Sequence, residues 1–244
     1  MKNKTILVTG GSGFIGSHTV LELVRNKITV VVIDNLSNSS KKNIDRIKSK
    51  YKNKVLFHKV DLLKKYQIQK VFKKYKSISS VIHFAALKSV PESIKLPTQY
   101  YQNNVVGTLN LLDVMKKNKC KNLIFSSSAC VYSEKVSPPY KEIDNLGYKN
   151  PYAHSKLIIE DILSNISKAD KNWNICILRY FNPAGSDSLG LIGEENLNQT
   201  NLFPQIAQVI LGNKKYIKIF GSNYKTKDGT AVRDYIHVSD IALG

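Results

Sequence analysis

Tyr152 and Lys156 are a pair of residues in this chain whose types and spacing could do chemistry. They lie four positions apart in PYAHSK, which begins at Pro151 and continues with helical apolar spacing, so they share one helix face. A tyrosine with an ordinary pKa of about 10 is a poor base at neutral pH, but a nearby ammonium favours its phenolate. The pair predicts a proton-transfer site with Tyr152 as base and Lys156 as the charge that lowers its pKa.

Ser128 supplies a third polar group. The spacing YxxxK also arises on exposed helix faces, so on its own it is weak evidence for a catalytic site. The functional interpretation is supported by FSSSACVY, which ends the preceding strand-like run. Parallel α/β sheets place ligands at the carboxyl ends of their strands, so Ser128 could hydrogen-bond a substrate hydroxyl and orient it toward Tyr152. For Ser126, spacing alone favours simple strand termination.

The segment TGGSGFIG predicts a dinucleotide site. Gly10, Gly13 and Gly16 provide the turn out of a strand, close approach of the backbone to a pyrophosphate, and tight packing of the next helix. The pyrophosphate would lie at the helix N-terminus, where free N–H groups favour anions. Asp34 ends the second strand, where a carboxylate accepts hydrogen bonds from ribose hydroxyls and repels the 2′-phosphate of NADP. NAD is therefore the predicted cofactor, and its positive nicotinamide ring is expected to favour the phenolate of Tyr152 together with Lys156.

The elements that must position these residues alternate between strand and helix, which predicts a Rossmann-type, doubly wound α/β fold with a parallel sheet in residues 1–180. The predicted strands are Thr5–Thr9, Thr29–Ile33, Val55–His58, Ser80–Phe84, Asn122–Ser126 and Asn174–Leu178. The predicted helices are Ile15–Asn26, Lys65–Lys76, Pro97–Asn118 and Pro151–Lys168.

Residues 181–244 are richer in loops and are interpreted as a small, incomplete C-terminal substrate-binding region. A helix is predicted at Leu202–Leu211, with strand-like pieces at Tyr216–Phe220 and Asp234–Val238. His83 and His237 lie in apolar runs, and both are interpreted as core histidines rather than bases.

Composition narrows the class of protein. The net charge of +19 raises the question of nucleic acid, but the basic residues between Lys41 and Lys76 alternate with apolar ones, which favours a solvated face over a binding patch. The three cysteines lack CxxC spacing, so neither disulfides nor a metal site is predicted. With no membrane-length apolar run and no secretory core, a cytoplasmic protein without nucleic-acid or membrane partners is expected.

A family resemblance spans nearly the whole chain. The chain resembles the UDP-galactose 4-epimerases in the segments TGGSGFIGSH, IDNLSNSS, VIHFAALKSV, YYQNNVVGTLNLL, FSSSACVY, PYAHSK, LRYFNPAG and DGTAVRDYIHV, in that order. The last two are the more specific, because many short-chain dehydrogenases share the glycine loop and YxxxK.

The resemblance implies interconversion of UDP-galactose and UDP-glucose: hydride removal from C4 of the hexose to NAD, rotation of the 4-keto sugar, and hydride return to the opposite face. Tyr152 would be base and then acid, assisted by Lys156 and Ser128. A homodimer paired through two helices is implied as well. The family continues beyond the position of Gly244, so we expect this chain to be an incomplete copy.

The resemblance also assigns binding residues. Those implied to hold the cofactor are Gly10, Gly13, Phe14, Ile15, Gly16, Asp34, Asn35, Asn38, Ser39, Asp61, Leu62, Phe84, Ala85, Ala86, Lys88, Asn103, Ser126, Tyr152, Lys156, Tyr180 and Phe181. Those implied to contact the UDP-sugar are Lys88, Ser128, Tyr152, Asn182, Asn201, Phe220 and Arg233. Lys88 and Arg233 are cations suited to diphosphates, although Arg233 could instead form a surface ion pair and Phe220 could be core packing.

Other functions remain open at this point. A nucleotide-sugar 4,6-dehydratase or a decarboxylase would share the NAD site, but the dehydratase usually carries an Asp-Glu pair where this chain has Ala129 and Cys130. A non-catalytic NAD-binding protein is the other alternative. Cys130 stands where the family usually has threonine, so one sugar contact is expected to differ.

Overall fold

A computed structural model describes residues 5–195, 201–219 and 221–244. The strands are β1 (Thr5–Thr9), β2 (Thr29–Asp34), β3 (Val55–Lys59), β4 (Ile78–His83), β5 (Asn122–Ser128), β6 (Asn174–Tyr180), β7 (Asn182–Ala184) and β8 (Tyr235–His237). The helices are α1 (Phe14–Arg25), α2 (Lys42–Tyr51), α3 (Lys65–Lys74), α4 (Val90–Lys95), α5 (Pro97–Tyr100), α6 (Gly107–Lys117), α7 (Pro151–Ala169), α8 (Leu202–Ile210) and α9 (Val238–Leu243).

The first six strands form one parallel sheet in the order β3-β2-β1-β4-β5-β6. The strand order reverses between β1 and β4, and such a switch point leaves a crevice at the carboxyl edge of the sheet. The predicted doubly wound fold is therefore confirmed, and each predicted strand of residues 1–180 is present within two residues of its expected bounds.

Helices cover both faces of the sheet because alternate strand residues point to opposite sides. Leu7 belongs to the apolar core on the side of α3, α6 and α7, whereas the adjacent Val8 belongs to the core under α1 and α2. Both are fully buried. Helix α7, which carries Tyr152 and Lys156, contributes Ile159 and Leu163 to the first core, and this packing fixes the rotation of the helix about its axis.

Two predicted elements differ in the structure. The helix expected at Pro97–Asn118 is interrupted by a π-helical segment at Tyr101–Val106, between α5 and α6. The strand expected at Tyr216–Phe220 is wrong for residues 216–219, which form no strand, and Phe220 lies outside the described residues. Helix α2 was not predicted because only Ile44 and Ile47 of its mostly polar sequence enter the core.

The chain after Tyr180 leaves the main sheet and returns to its N-terminal half. Strands β7 and β8 pair in parallel, and α9 packs against α1. Arg25 of α1 forms a 2.6 Å ion pair with the buried Asp187. The prediction that His237 is a core residue is wrong, because it lies exposed on β8, whereas His83 is buried between Thr9 and Thr108 as expected.

Candidate active site

A cleft of about 1410 Å³ opens at the carboxyl edge of the sheet, where β1 and β4 meet. Every residue predicted to hold the cofactor lines this one cleft, and so do Ser128, Asn182 and Asn201 of the predicted substrate set. The sequence motifs, which are spread from residue 10 to residue 201, are therefore brought together in space by the fold.

The turn between β1 and α1 has no room for a side chain at Gly10 or Gly16. A Cβ on Gly16 would lie 2.3 Å from the carbonyl oxygen of Gly10, and a Cβ on Gly10, where φ is +65°, would lie 2.6 Å from the nitrogen of Ala85. Helix α1 begins after Gly13 without a side-chain cap. Its first N–H groups are thus available to an anionic group, as the pyrophosphate of a dinucleotide requires.

Asp34 at the tip of β2 is buried and held by three donors. Its Oδ2 accepts from the amide of Ser12 at 3.0 Å, and its Oδ1 accepts from the amide of Leu36 at 2.9 Å and from Ser39 Oγ at 3.0 Å. A carboxylate has about four acceptor positions, so it can still accept a hydrogen bond from a ribose hydroxyl. The residues present fit a dinucleotide with a free 2′-hydroxyl.

The proposed proton-transfer group lies deeper in the cleft. Helix α7 begins at Pro151, with the Asn150 side chain accepting from the amide of Ala153 at 2.9 Å, so Tyr152 lies in its first turn. Lys156, one turn later, is buried and donates a 2.7 Å hydrogen bond from Nζ to the main-chain oxygen of Ser126. Ser128, at the end of β5, is near enough to Tyr152 to favour its phenolate.

The expected lowering of the Tyr152 pKa is not found in the protein alone. Burial raises the pKa of Tyr152 to about 12, although the hydrogen bond with Ser128 works in the opposite direction. Burial also lowers the pKa of Lys156 to about 7, although the charge of Glu160 works against that change. Removal from water therefore acts against the charged form of both groups in the protein alone, and the interpretation that Lys156 and the positive nicotinamide ring together lower the tyrosine pKa stays a prediction.

The substrate side of the cleft agrees only partly with prediction. Asn182 donates from Nδ2 to the main-chain oxygen of Asp234 at 2.8 Å, which ties β7 to the segment before β8. Arg233 does not line the cleft; it is exposed, and its Nη1 donates to the carbonyl of Val232 at 2.8 Å. Phe220 lies outside the described residues, so its predicted role is not tested.

An acidic residue that sequence reasoning missed lies on the same side. Glu194 lines the cleft, 3.9 Å from the ammonium of Lys88, and accepts from Nδ2 of Asn201 at 3.0 Å. Lys88 therefore lies at the mouth of the cleft with a carboxylate nearby, a contact that no spacing in the sequence signals.

Asn104, in the π-helical segment, was missed as well. It is buried, accepts from the amide of Leu87 at 2.8 Å, and donates to the Leu87 oxygen at 3.1 Å and to Ser155 Oγ at 3.0 Å. It therefore clamps the loop after β4 to helix α7. Single-turn π-helical segments occur frequently at functional sites, but the sequence carries no periodicity that reveals one.

Among the described residues, no group of three or more His, Cys, Asp or Glu side chains could hold a metal ion. None of the helices in this part of the chain is long and apolar enough to cross a membrane.

Comparisons with known proteins agree with the geometry of the cleft. Residues 6–244 match the family model described as the NAD dependent epimerase/dehydratase family. The chain is 47% identical over 245 residues to UDP-glucose 4-epimerase 2 of Arabidopsis thaliana, covering 99% of this chain and 70% of that protein. It is 49% identical over 241 residues to UDP-glucose 4-epimerase of Haemophilus influenzae, covering 98% and 71% respectively.

The chain is also similar to solved structures of UDP-glucose 4-epimerases. UDP-glucose 4-epimerase from Bifidobacterium longum, in complex with NAD+ and UDP, superposes with a TM-score of 0.94 at 44% identity, covering 98% of this chain and 72% of that one. The Stenotrophomonas maltophila enzyme, with bound NAD and formylated UDP-arabinopyranose, has a TM-score of 0.92 at 40% identity, covering 98% and 71%.

Proposed function

The chain belongs to the NAD-dependent epimerase/dehydratase family, and we propose that it interconverts UDP-galactose and UDP-glucose as an NAD-dependent 4-epimerase. The observation that carries the proposal is the arrangement of Ser128, Tyr152 and Lys156 in a cleft that also contains the glycine turn and Asp34. Identities of 47% and 49% to UDP-glucose 4-epimerases over nearly the whole chain support the same substrate.

In this proposal Tyr152 takes the proton of the sugar C4 hydroxyl and later returns it, so it acts as base and then as acid. NAD, when bound, supplies the acceptor for the C4 hydride and the donor that returns it to the opposite face of the sugar. Ser128 orients the C4 oxygen toward Tyr152 by a hydrogen bond. The proton acceptor must be a phenolate, and the Lys156 ammonium and the cationic ring of oxidised NAD are the charges that would lower its pKa from about 12.

Aromatic side chains form one wall of the cleft and would exclude water from the reacting carbon. Phe84 and Tyr180 stack with their ring centroids 6.5 Å apart, and Phe181 stacks on Tyr140 at 6.3 Å. Exclusion of water strengthens the charge interactions within the site and protects a transient ketone until the hydride is returned. A homodimer, a cytoplasmic location and the absence of a nucleic-acid partner stay predictions.

The test is to incubate the purified chain with UDP-galactose, with and without added NAD, and to follow the appearance of UDP-glucose. Conversion that the Tyr152→Phe variant lacks would establish the activity. The variant should retain NAD binding, because it loses only one hydroxyl. No conversion by the wild-type chain under conditions where it binds NAD would contradict the proposed reaction.

A further inference from the structure

Glu160 lies one helical turn beyond Lys156 on α7, and it is only 5% exposed. A buried carboxylate is costly unless charged or polar partners compensate for its lost hydration. Its partners come from both neighbouring strands. Ser127 of β5 donates its hydroxyl to Oε1, and Arg179 of β6 binds both carboxylate oxygens, with a distance of 2.7 Å from Nη2 to Oε2.

Arg179 extends this arrangement to the segment that precedes the catalytic helix. Its Nη1 donates to the main-chain oxygen of Glu142 at 3.1 Å, and its guanidinium lies 5.1 Å from the ring centre of Tyr132. The fork geometry of a guanidinium suits such simultaneous contacts. Glu160 is therefore held in one position by groups from β5 and β6, and it cannot turn away from α7 without breaking several hydrogen bonds.

The Lys156 ammonium donates a hydrogen bond to the main-chain oxygen of Ser126, and it also lies 4.8 Å from the ring centre of Phe125. A buried ammonium with so few acceptors tends to lose its proton. Lys156 interacts with the charge of Glu160 on α7 and with His83 on β4, and its Nζ lies 6.0 Å from the ring centre of Tyr152. Arg179 on β6 and Cys130 after β5 are one contact further away, the first beside Glu160 and the second near Tyr152. Glu160 is the carboxylate among these groups.

We propose that Glu160 is a positioning residue for the reaction: anchored by Ser127 and Arg179, its carboxylate keeps the buried Lys156 protonated beside Tyr152. The inference deepens the proposed function and rests on it for its catalytic meaning, but the effect on Lys156 is a property of the protein itself. Without that carboxylate, Lys156 would be a neutral amine over more of the neutral pH range and could not favour the phenolate of Tyr152.

The carboxylate of Glu160 favours the protonated form of Lys156, and its partner Arg179 is a cation that offsets part of this effect. Burial lowers the pKa of Lys156 to about 7, and the Glu160 charge is the cause that raises it. His83 does not compete, because burial lowers its pKa to about 3 and it is neutral between two threonines. The pair with Glu160 raises the pKa of Arg179, so this cation stays charged at every pH of interest.

The experiment measures the Lys156 proton directly, without requiring enzymatic turnover. The full chain is labelled with trace acetic anhydride between pH 6 and 11, and the acetylation of the peptide that contains Lys156 is quantified by mass spectrometry. In Glu160→Gln the carboxylate becomes a neutral amide of the same shape, so the titration midpoint of Lys156 is expected to fall by about one pH unit. Glu160→Asp keeps the charge and should restore most of the wild-type midpoint.

Asp161→Asn is the matched control, because it removes a carboxylate from the adjacent, exposed position of α7 and should leave the midpoint unchanged. If Glu160→Gln does not fold, Glu160→Gln combined with Arg179→Gln removes both partners without leaving a buried charge unpaired. A downward shift smaller than that of Glu160→Gln is then expected, because a cation is removed together with the carboxylate. A midpoint equal to that of the wild type in the folded variant would overturn the proposal.

Kinetics then connect the effect to catalysis. The alkaline limb of the kcat profile with UDP-galactose should move to lower pH in Glu160→Gln, while KM stays within about twofold because the residue does not contact substrate. If the Lys156 midpoint shifts in Glu160→Gln but the wild-type chain shows no epimerase activity, the proposed reaction is contradicted and the effect of Glu160 on Lys156 still stands. If kcat of Glu160→Gln falls but the alkaline limb of its pH profile stays where it is in the wild type, Glu160 has only a structural role and the proposal is wrong.

Discussion

Lys156 and Ser126 are joined by a 2.7 Å hydrogen bond from the lysine Nζ to the serine main-chain oxygen, which fixes helix α7 to the carboxyl end of β5. The contact uses a main-chain acceptor, so it does not depend on the serine side chain. It places a buried amine at the junction of the sheet and the helix that carries Tyr152. A charge at this position affects folding as well as chemistry.

The first prediction concerns stability and pH. The pKa of Lys156 is about 7 in the folded chain and about 10.5 in the unfolded chain, so the unfolded state binds one more proton between these values. Stability should therefore rise with pH across this window, relative to a variant without the amine. In urea unfolding at pH 7 and pH 9, the wild type should gain up to about 2 kcal/mol relative to Lys156→Met. If the stability of both proteins depends on pH in the same way, the pKa of Lys156 is not lowered by burial.

Gly16→Ala tests the fit of the cofactor turn. The new methyl group would lie 2.3 Å from the oxygen of Gly10 and 2.8 Å from Cα of Gly11, so the turn must move. We expect NAD affinity, measured by isothermal titration calorimetry, to fall by more than about tenfold, since backbone N–H groups at the start of α1 would no longer be aligned. Gly193→Ala is the control, because its methyl would meet only Ser186 at 3.6 Å. If Gly16→Ala binds NAD with wild-type affinity, the glycine turn before α1 is not the pyrophosphate site.

The sheet and its cofactor residues could be predicted from the sequence because their signals are local. The glycine turn, the acid at the end of β2 and the YxxxK helix start each occupy a short segment, and the chain order of strands and helices determines the parallel sheet. Asp34 and Tyr152 consequently line the cleft as expected.

What could not be predicted depends on contacts between distant segments. The Glu160 to Arg179 pair joins α7 to β6, and Glu194 approaches Lys88 from a loop, so neither contact leaves a pattern in the sequence. The effect of burial on the pKa of Tyr152 could not be predicted for a related reason. Spacing reveals a neighbouring charge, but it does not reveal how far both groups are removed from water, and burial is the larger effect here.

Asp34→Asn tests the choice between NAD and NADP. The Asp34 carboxylate accepts hydrogen bonds from Ser12, Leu36 and Ser39. The asparagine amide has only one acceptor oxygen, and its NH2 group would face one of these three donors and repel it. NAD affinity should fall by about tenfold to a hundredfold, the range for a charged hydrogen bond. Affinity for NADP should fall less or rise, because its 2′-phosphate no longer meets a negative charge. Calorimetry with both nucleotides measures the ratio, and an unchanged ratio would exclude Asp34 as the discriminating residue.

Arg179→Met tests the stability of the pair with Glu160. The two side chains are 17% and 6% exposed, so the substitution leaves a buried carboxylate without its cation. Breaking one side of such a pair typically costs about 3–5 kcal/mol, whereas replacing both partners by apolar residues is often neutral. Urea unfolding should therefore show a large loss for Arg179→Met and a substantial recovery when Glu160→Met is added. Lys41→Met, which breaks the exposed pair with Asp45, should change little. Equal losses in the single and double variants would show that shape, not the unpaired charge, determines the cost.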